Sequence, residues 1–254
     1  MPSTRELTTP ADARHSFVRD NALSLACFGL FVVFLFGQSL SGWRAFDADA
    51  VTHGERAISY MHYLRTGHFF EATFENWESE FLQMAAFVLL TVFLVQKGSA
   101  ESKDIEDDPR DEDPSEHRGD PEAPWPVRRG GIWAKLYENS LLAAFVVLFG
   151  ASIAGHAWSG AHAYSAEQQA HGEPAVTTAG FIRTSQFWFE SFQNWQSEFL
   201  AVGSIAVLTI LLRQKGSAES KPVHAPSGDY SIGRISVPRF TPVMKSCLLS
   251  ISIG

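Results

Sequence analysis

Residues 23–40 read LSLACFGLFVVFLFGQSL, and this stretch decides the fold. It lies inside a longer segment, residues 21–43, that contains no charged side chain. A helix needs about 20 mostly apolar residues to cross the hydrocarbon core of a bilayer. An apolar run of this length without strand alternation is typical of such a helix. The sequence therefore predicts a first membrane-spanning helix here.

The same segment also has the layout of a secretory signal peptide, because it follows the basic residues Arg14 and Arg19 and precedes small residues. A similar apolar segment, residues 141–158, lies in the middle of the chain, where no signal peptide could be. This similarity favours retention of the first segment as a span.

Two shorter apolar blocks, residues 81–95 and 199–212, each follow one of the long ones. The block at 81–95 reaches spanning length only when the turn that begins at Trp77 is included, with its start in the membrane interface. Irregular backbone cannot face lipid, so four such blocks predict helices. We expect an all-α integral membrane protein with four transmembrane helices.

An internal repeat relates the two halves. Residues 21–103 align with residues 139–221 at an offset of 118 residues, with 35 identities in 83 positions and no gap. Each copy holds two spans, so the copies form two tandem helical hairpins that enter the membrane in the same direction, with short interfacial helices in their outer loops. The predicted regions are an N-terminal tail (1–20), repeat 1 (21–103), an acidic disordered linker (104–136), repeat 2 (137–221) and a C-terminal tail (222–254).

Basic residues set the orientation. The two tails and the linker side carry 16 Lys and Arg residues, whereas the loops within the two hairpins carry four. The positive-inside rule then places both termini and the linker in the cytoplasm. The net charge of −8 comes largely from residues 104–122, which are too acidic and too poor in apolar residues to fold alone. Two cysteines allow no disulfide framework and show no metal-binding spacing.

Each copy carries a carboxylate beside the start of its second span, Glu80 in the first and Glu198 in the second. An ionisable group inside a span would indicate an ion path or an interaction site. The alternative is structural, because acidic residues are favoured in the first turn of a helix. The neighbouring candidates for the same site are residues that the two copies share: Asn76, Asn194, Trp77 and Trp195.

The aromatic residues before each second span are typical of a membrane interface, and the two asparagines suit helix caps or other hydrogen bonds at the helix entry. His53 and His171 form an equivalent pair in the outer loops. No two outer-loop histidines have the spacing of a helical metal site, so no metal ligand and no cofactor is predicted.

Two motifs recur in both copies: NWxSEFL, at 76–82 and 194–200, and QKGSAESK, at 96–103 and 214–221. Together they resemble a bacterial family of small four-span membrane proteins classed as a domain of unknown function. The resemblance implies a location in the bacterial inner membrane. It implies no activity, cofactor or catalytic residue.

Two functions from different classes follow. The first is a non-enzymatic envelope or scaffold component, since no catalytic motif is found. The alternative is a small channel or transporter that uses the regions of Glu80 and Glu198, although the spans contain few polar residues for a hydrated path. A third hypothesis, a membrane enzyme with a metal site built from outer-loop histidines, lacks convergent ligands. The lipid bilayer is the predicted partner and nucleic acid is not; a homo-oligomer or a membrane-protein partner stays open.

Overall fold

Four long helices dominate the structure, a computed structural model that describes residues 17–52, 54, 56–103 and 108–225. They are α1 (Ala22–Thr52), α2 (Gly67–Phe93), α3 (Ser140–Ala170) and α4 (Ser185–Leu211). The described ranges contain no β-strand, so the prediction of an all-α protein is confirmed.

The helices of the two copies correspond in length and position. α1 and α3 each contain 31 residues, and α2 and α4 each contain 27. At about 1.5 Å per residue these helices are roughly 46 and 40 Å long, which exceeds the ~30 Å hydrocarbon core of a bilayer. Both ends of α3 and α4 follow those of α1 and α2 by 118 residues, the offset of the sequence alignment.

Two of these helices, α1 and α3, are long and apolar enough to cross a membrane. Within their most apolar 18-residue windows, 6% of α1 and 17% of α3 is buried. Large apolar side chains such as Leu23, Phe28 and Val147 are left uncovered by the rest of the protein. The core helix of a soluble protein would be covered, so these faces suit a lipid environment.

α2 and α4 begin well before the apolar blocks that the sequence marks. Thr66 caps α2 by accepting a hydrogen bond from the backbone N–H of Phe69 at 3.4 Å, and Thr184 caps α4 through Phe187 at 3.3 Å. The aromatic segments are therefore the first turns of long helices. A single helical turn precedes each, at Tyr60–Tyr63 and Thr178–Phe181.

The most extensive helix contact joins the two copies, because α2 packs against α3. Small residues permit the close approach. A Cβ added to Gly155 would lie 2.8 Å from the ring of Phe74, and one added to Gly67 would lie 2.7 Å from the carbonyl oxygen of Ser159. The glycines Gly29, Gly37 and Gly150 of α1 and α3 do not lie in such contacts, because an added Cβ there would meet no atom within 4 Å.

The copies meet again where the segment that follows α2 reaches the last turn of α4. The hydroxyl of Ser99, in the first QKGSAESK segment, lies 3.0 Å from the hydroxyl of Thr209 on α4. Gly98 and Gly216 have the same left-handed φ of 85°, which a residue with a side chain rarely adopts. The two segments therefore form the same turn.

The described part of the acidic linker contains short helical segments rather than one long element. They are Pro109–Asp111, Pro114–His117, Trp125–Arg129 and Gly131–Glu138. The first two begin with proline and are capped by the carboxylates of Asp108 and Asp113.

Candidate functional site

A histidine held between two carboxylates lies where α2, α3 and α4 meet. His156 of α3 is completely buried. Its Nδ1 is 2.7 Å from Oε2 of Glu78 on α2, and its Nε2 is 3.2 Å from Oε2 of Glu190 on α4. Ionised carboxylates only accept hydrogen bonds, whereas a neutral imidazole donates from one nitrogen. The group therefore holds either an imidazolium or a protonated carboxyl.

Glu78 is completely buried as well, and both of its oxygens are bonded. Its Oε1 accepts a hydrogen bond from the indole N–H of Trp195 at 3.0 Å. The ring of Phe187 stacks on the imidazole of His156 at a centroid distance of 4.8 Å. These contacts fix the positions of the carboxylate and of the imidazole ring.

Two further carboxylates extend this group toward the surface. Glu75 and Glu71 precede Glu78 by about one and two turns of α2, respectively, so all three lie on one face. Together with His68, Gln186 and Glu190, Glu71 and Glu75 line a cleft of about 260 Å³. One ligand atom each from Glu71, His156 and Glu190 lie within 4.8 Å of one another. We call Glu71, Glu75, Glu78, His156 and Glu190 the acid–imidazole cluster.

The two carboxyls that line the cleft, Glu71 and Glu75, have strongly raised pKa values. The pKa of Glu71 is raised to about 8, chiefly by burial and then by the neighbouring charge of Glu190, while His156 opposes the rise. Burial and Glu190 likewise raise the pKa of Glu75 to about 7. Four carboxyls thus surround one imidazole, and a bound cation would relieve the repulsion between them that helps to raise the pKa values of Glu71 and Glu75.

Among the residues that the structure describes, the acid–imidazole cluster occurs once, although the helices of the two copies correspond. Glu71, Glu75 and Glu78 correspond to Phe189, Gln193 and Gln196 in the second copy. His156 corresponds to Gln38, and Glu190 corresponds to Ala72. Gln38 donates to the hydroxyl of Thr73 at 3.4 Å instead of joining two carboxylates. One of the two equivalent positions is therefore charged and the other is neutral.

Residues 14–231 match a family model described as a domain of unknown function. The chain belongs to this family, DUF6766. The resemblance that the sequence suggested is confirmed at that level. No curated protein and no solved structure matches the chain. What this DUF6766 domain can do must therefore be argued from its own side chains.

The structure brings some of the sequence candidates into or near the cluster. Trp195 contacts it directly through Glu78. Trp77 packs against the rings of Phe31 and Phe74. Glu80 lies close enough to Glu198 for the two carboxylates to interact electrostatically, although Glu80 itself is exposed.

Other candidates have local roles in this DUF6766 domain. Asn76 and Asn194 lie inside α2 and α4 rather than at their caps, and each donates to the backbone carbonyl four residues earlier, at 2.6 Å and 3.1 Å. His171 is exposed at the C-terminal end of α3, with Nδ1 2.9 Å from the carbonyl oxygen of Glu167. Its counterpart His53 lies outside the described residues.

Four residues of the cluster are not predicted from the sequence: Glu71, Glu75, Glu78 and Glu190. His156 stands out only as one of several outer histidines. A signal was present in the alignment of the two copies, because all five cluster positions change from a charged or titratable residue to a neutral one. Glu80 and Glu198, by contrast, are identical in the two copies, which is why the sequence points to them.

Proposed function

We propose that this protein is a non-enzymatic, four-span component of the bacterial inner membrane that binds a cation at its outer face. The observation that carries the proposal is the burial of His156 between Glu78 and Glu190, beside a cleft with two more carboxyls. Buried charges at a helix contact are costly unless they are paired or coordinate an ion. A site with this excess of carboxyls fits a bound cation.

Four spans are supported by the uncovered apolar ends of α2 and α4. Phe93 and Leu211, the last residues of these helices, are about three-quarters exposed at 73% and 74%. Within the membrane, residues 77–93 of α2 and 195–211 of α4 would then supply the second and fourth spans, with Glu71 and Glu75 above them. Both termini would be cytoplasmic because of the distribution of Lys and Arg. A reporter fused within residues 104–122 should behave as cytoplasmic, and a periplasmic signal would contradict this orientation.

A channel or transporter is the second candidate, favoured by the proximity of Glu80 and Glu198 at the contact between the copies. Against it, the cluster lies near one end of the spans and the described residues offer few polar groups toward the other. Ion flux in proteoliposomes separates the two. Flux at the level of empty vesicles, with or without Glu80→Gln and Glu198→Gln, would exclude transport.

Cation binding is tested by thermal unfolding of the purified protein in detergent with a panel of chloride salts at equal ionic strength. A ligand that binds only the folded state raises the melting temperature. We expect at least one cation to do so in the natural chain and not in the Glu71→Gln, Glu190→Gln double variant. The matched control is Glu80→Gln with Glu198→Gln, which should respond like the natural chain. A panel in which no cation raises the melting temperature would contradict the proposal.

A further inference from the structure

We propose that Glu71, His156 and Glu190 bind a divalent first-row transition-metal ion, with Glu78 orienting the histidine. This inference rests on the cation binding proposed above and names the class of cation. One ligand atom from each residue already lies within 4.8 Å of the other two. Tetrahedral ligands about 2.1 Å from an ion lie roughly 3.4 Å from one another, so modest side-chain rotations would complete the site.

The orientation of His156 is that of a metal ligand supported by a second carboxylate. Its Nδ1 faces Oε2 of Glu78 at 2.7 Å, which leaves Nε2 on the side of Glu190. Metal-binding histidines usually donate their other ring N–H to a carboxylate, which fixes the tautomer and makes the ligand more basic. Glu78 is itself held by the indole N–H of Trp195. The ligand His156, the carboxylate of Glu78 that orients it and the Trp195 side chain that holds this carboxylate are thus all present.

The donor set indicates the class of metal. Imidazole suits zinc, iron, copper and nickel, whereas calcium and magnesium prefer oxygen ligands alone. The three ligands include no thiolate, which disfavours the softest ions. One imidazole with two carboxylates therefore fits an ion such as Zn²⁺, Fe²⁺ or Co²⁺.

Access comes from the cleft of about 260 Å³ that Glu71 and Glu190 line together with Gln186 and Gln193. The ring of Phe187 covers one face of the imidazole, and His156 is itself fully buried. An ion would therefore enter through the cleft between Glu71 and Glu190, where water would complete the coordination. Because the second copy has Gln38, Phe189 and Ala72 at the equivalent positions, the site predicts one ion per chain.

The experiment uses the full chain, purified with a tag that contains no histidine and stripped of metal by a chelator. Co²⁺ is titrated while its visible absorption is recorded, and Zn²⁺ is then used to displace it. We expect one Co²⁺ per chain, displaced by one Zn²⁺. His156→Gln, Glu71→Gln and Glu190→Gln should each abolish the absorption, whereas Glu78→Gln should keep the stoichiometry and weaken the affinity about 10- to 100-fold.

The matched control is Glu80→Gln, which lies on the same helix outside the cluster and should bind Co²⁺ like the natural chain. Glu71 is only partly buried, so Glu71→Gln should fold normally and report on ligation even if His156→Gln does not fold. Circular dichroism and gel filtration check each variant.

The failures of the two proposals are distinguishable. Binding of Co²⁺ that is unchanged in Glu71→Gln and Glu190→Gln would overturn the metal site. Stabilisation by Mg²⁺ or Ca²⁺ alone, unaffected by His156→Gln, would overturn the transition-metal inference and leave cation binding standing. A chain that no cation stabilises and that binds no Co²⁺ would overturn both.

Discussion

Glu78 holds the cluster together, because its carboxylate joins α2 to both α3 and α4. It accepts from the indole of Trp195 on α4 and bonds His156 on α3, and no part of it reaches the surface. A buried group of this kind contributes little net stability when fully paired. Its removal is costly, because its partners are left buried and unpaired.

We therefore expect Glu78→Ala to lower the free energy of unfolding by about 3–5 kcal/mol, since it strands the imidazole of His156 and the indole N–H of Trp195. Glu78→Gln keeps an acceptor for Trp195 and should cost less. Glu80→Ala, two residues away and exposed, should change stability by no more than about 0.5 kcal/mol. Denaturant unfolding of the three variants in detergent measures the differences, and equal values for Glu78→Ala and Glu80→Ala would contradict the role given to Glu78.

The outer carboxyls predict how stability depends on pH in the metal-free chain. The pKa of Glu75 is raised from 4.5 to about 7, so the folded state holds this proton more tightly than the unfolded state does. The stability that follows is fully present below pH 4.5 and is lost as the pH rises through about 7. We expect the melting temperature to fall between pH 5 and 8, and Glu75→Gln to make the fall shallower. A melting temperature that rises over this range in the natural chain would refute the prediction.

Residue-scale inference from the sequence reaches only part of this site. Identity between copies is a guide to shared structure. It selects Trp195, which bonds Glu78, but also Asn76 and Asn194, which lie inside α2 and α4 and not at their caps. It cannot locate a site that only one of the two equivalent positions carries. Glu78 and His156 are 78 residues apart in sequence, and their contact depends on which helix of one copy packs against the other.

At the scale of elements, the crossing of α2 and α3 positions the cluster. Gly155 precedes His156, and its missing side chain lets the ring of Phe74 approach α3. Phe74 lies one turn before Glu78 on α2. The close packing of Phe74 on Gly155 therefore lies directly beside the hydrogen bond between Glu78 and His156, and it holds the two helices near enough for that bond to form.

Gly155→Leu should lower the free energy of unfolding by about 1–3 kcal/mol, because the new side chain would overlap the ring of Phe74. It should also weaken Co²⁺ binding, since it separates α2 from α3. Gly150→Leu on the same helix is the matched control: a Cβ added there meets no atom within 4 Å, so the variant should be as stable as the natural chain or more so. Thermal unfolding and Co²⁺ titration of both variants check this, and equal losses in the two would contradict the crossing.

Helix composition explains which element boundaries the sequence could predict. The apolar blocks identify the parts of α2 and α4 that suit lipid, but each helix begins 14 residues before its block, at Gly67 and Ser185. That stretch mixes aromatic and acidic residues and contains no proline, so nothing in it ends a helix. The start is set by the caps Thr66 and Thr184, which a count of apolar residues does not register.

On the scale of the whole molecule, the two copies are held together through contacts between their helices. The crossing of α2 and α3 lies on the side of the cluster, and the hydrogen bond between Ser99 and Thr209 lies near the C-terminal ends of α2 and α4. The linker adds a covalent connection between halves that already contact each other at both ends. We therefore expect the cluster to stay assembled without an intact linker.

Cleavage of the linker should leave the two halves associated. A protease site inserted after Gly119, which is exposed and lies in a turn, would separate repeat 1 from repeat 2 without touching either contact. We expect the cleaved halves to elute together on gel filtration in mild detergent and to keep one Co²⁺ per pair. Gly155→Leu in the cleaved chain should release a fraction of the halves, because it loosens the packing of α2 on α3 that brings Glu78 next to His156. Halves that separate fully on cleavage of the natural sequence would show that the linker, and not the crossing of α2 with α3, holds the copies together.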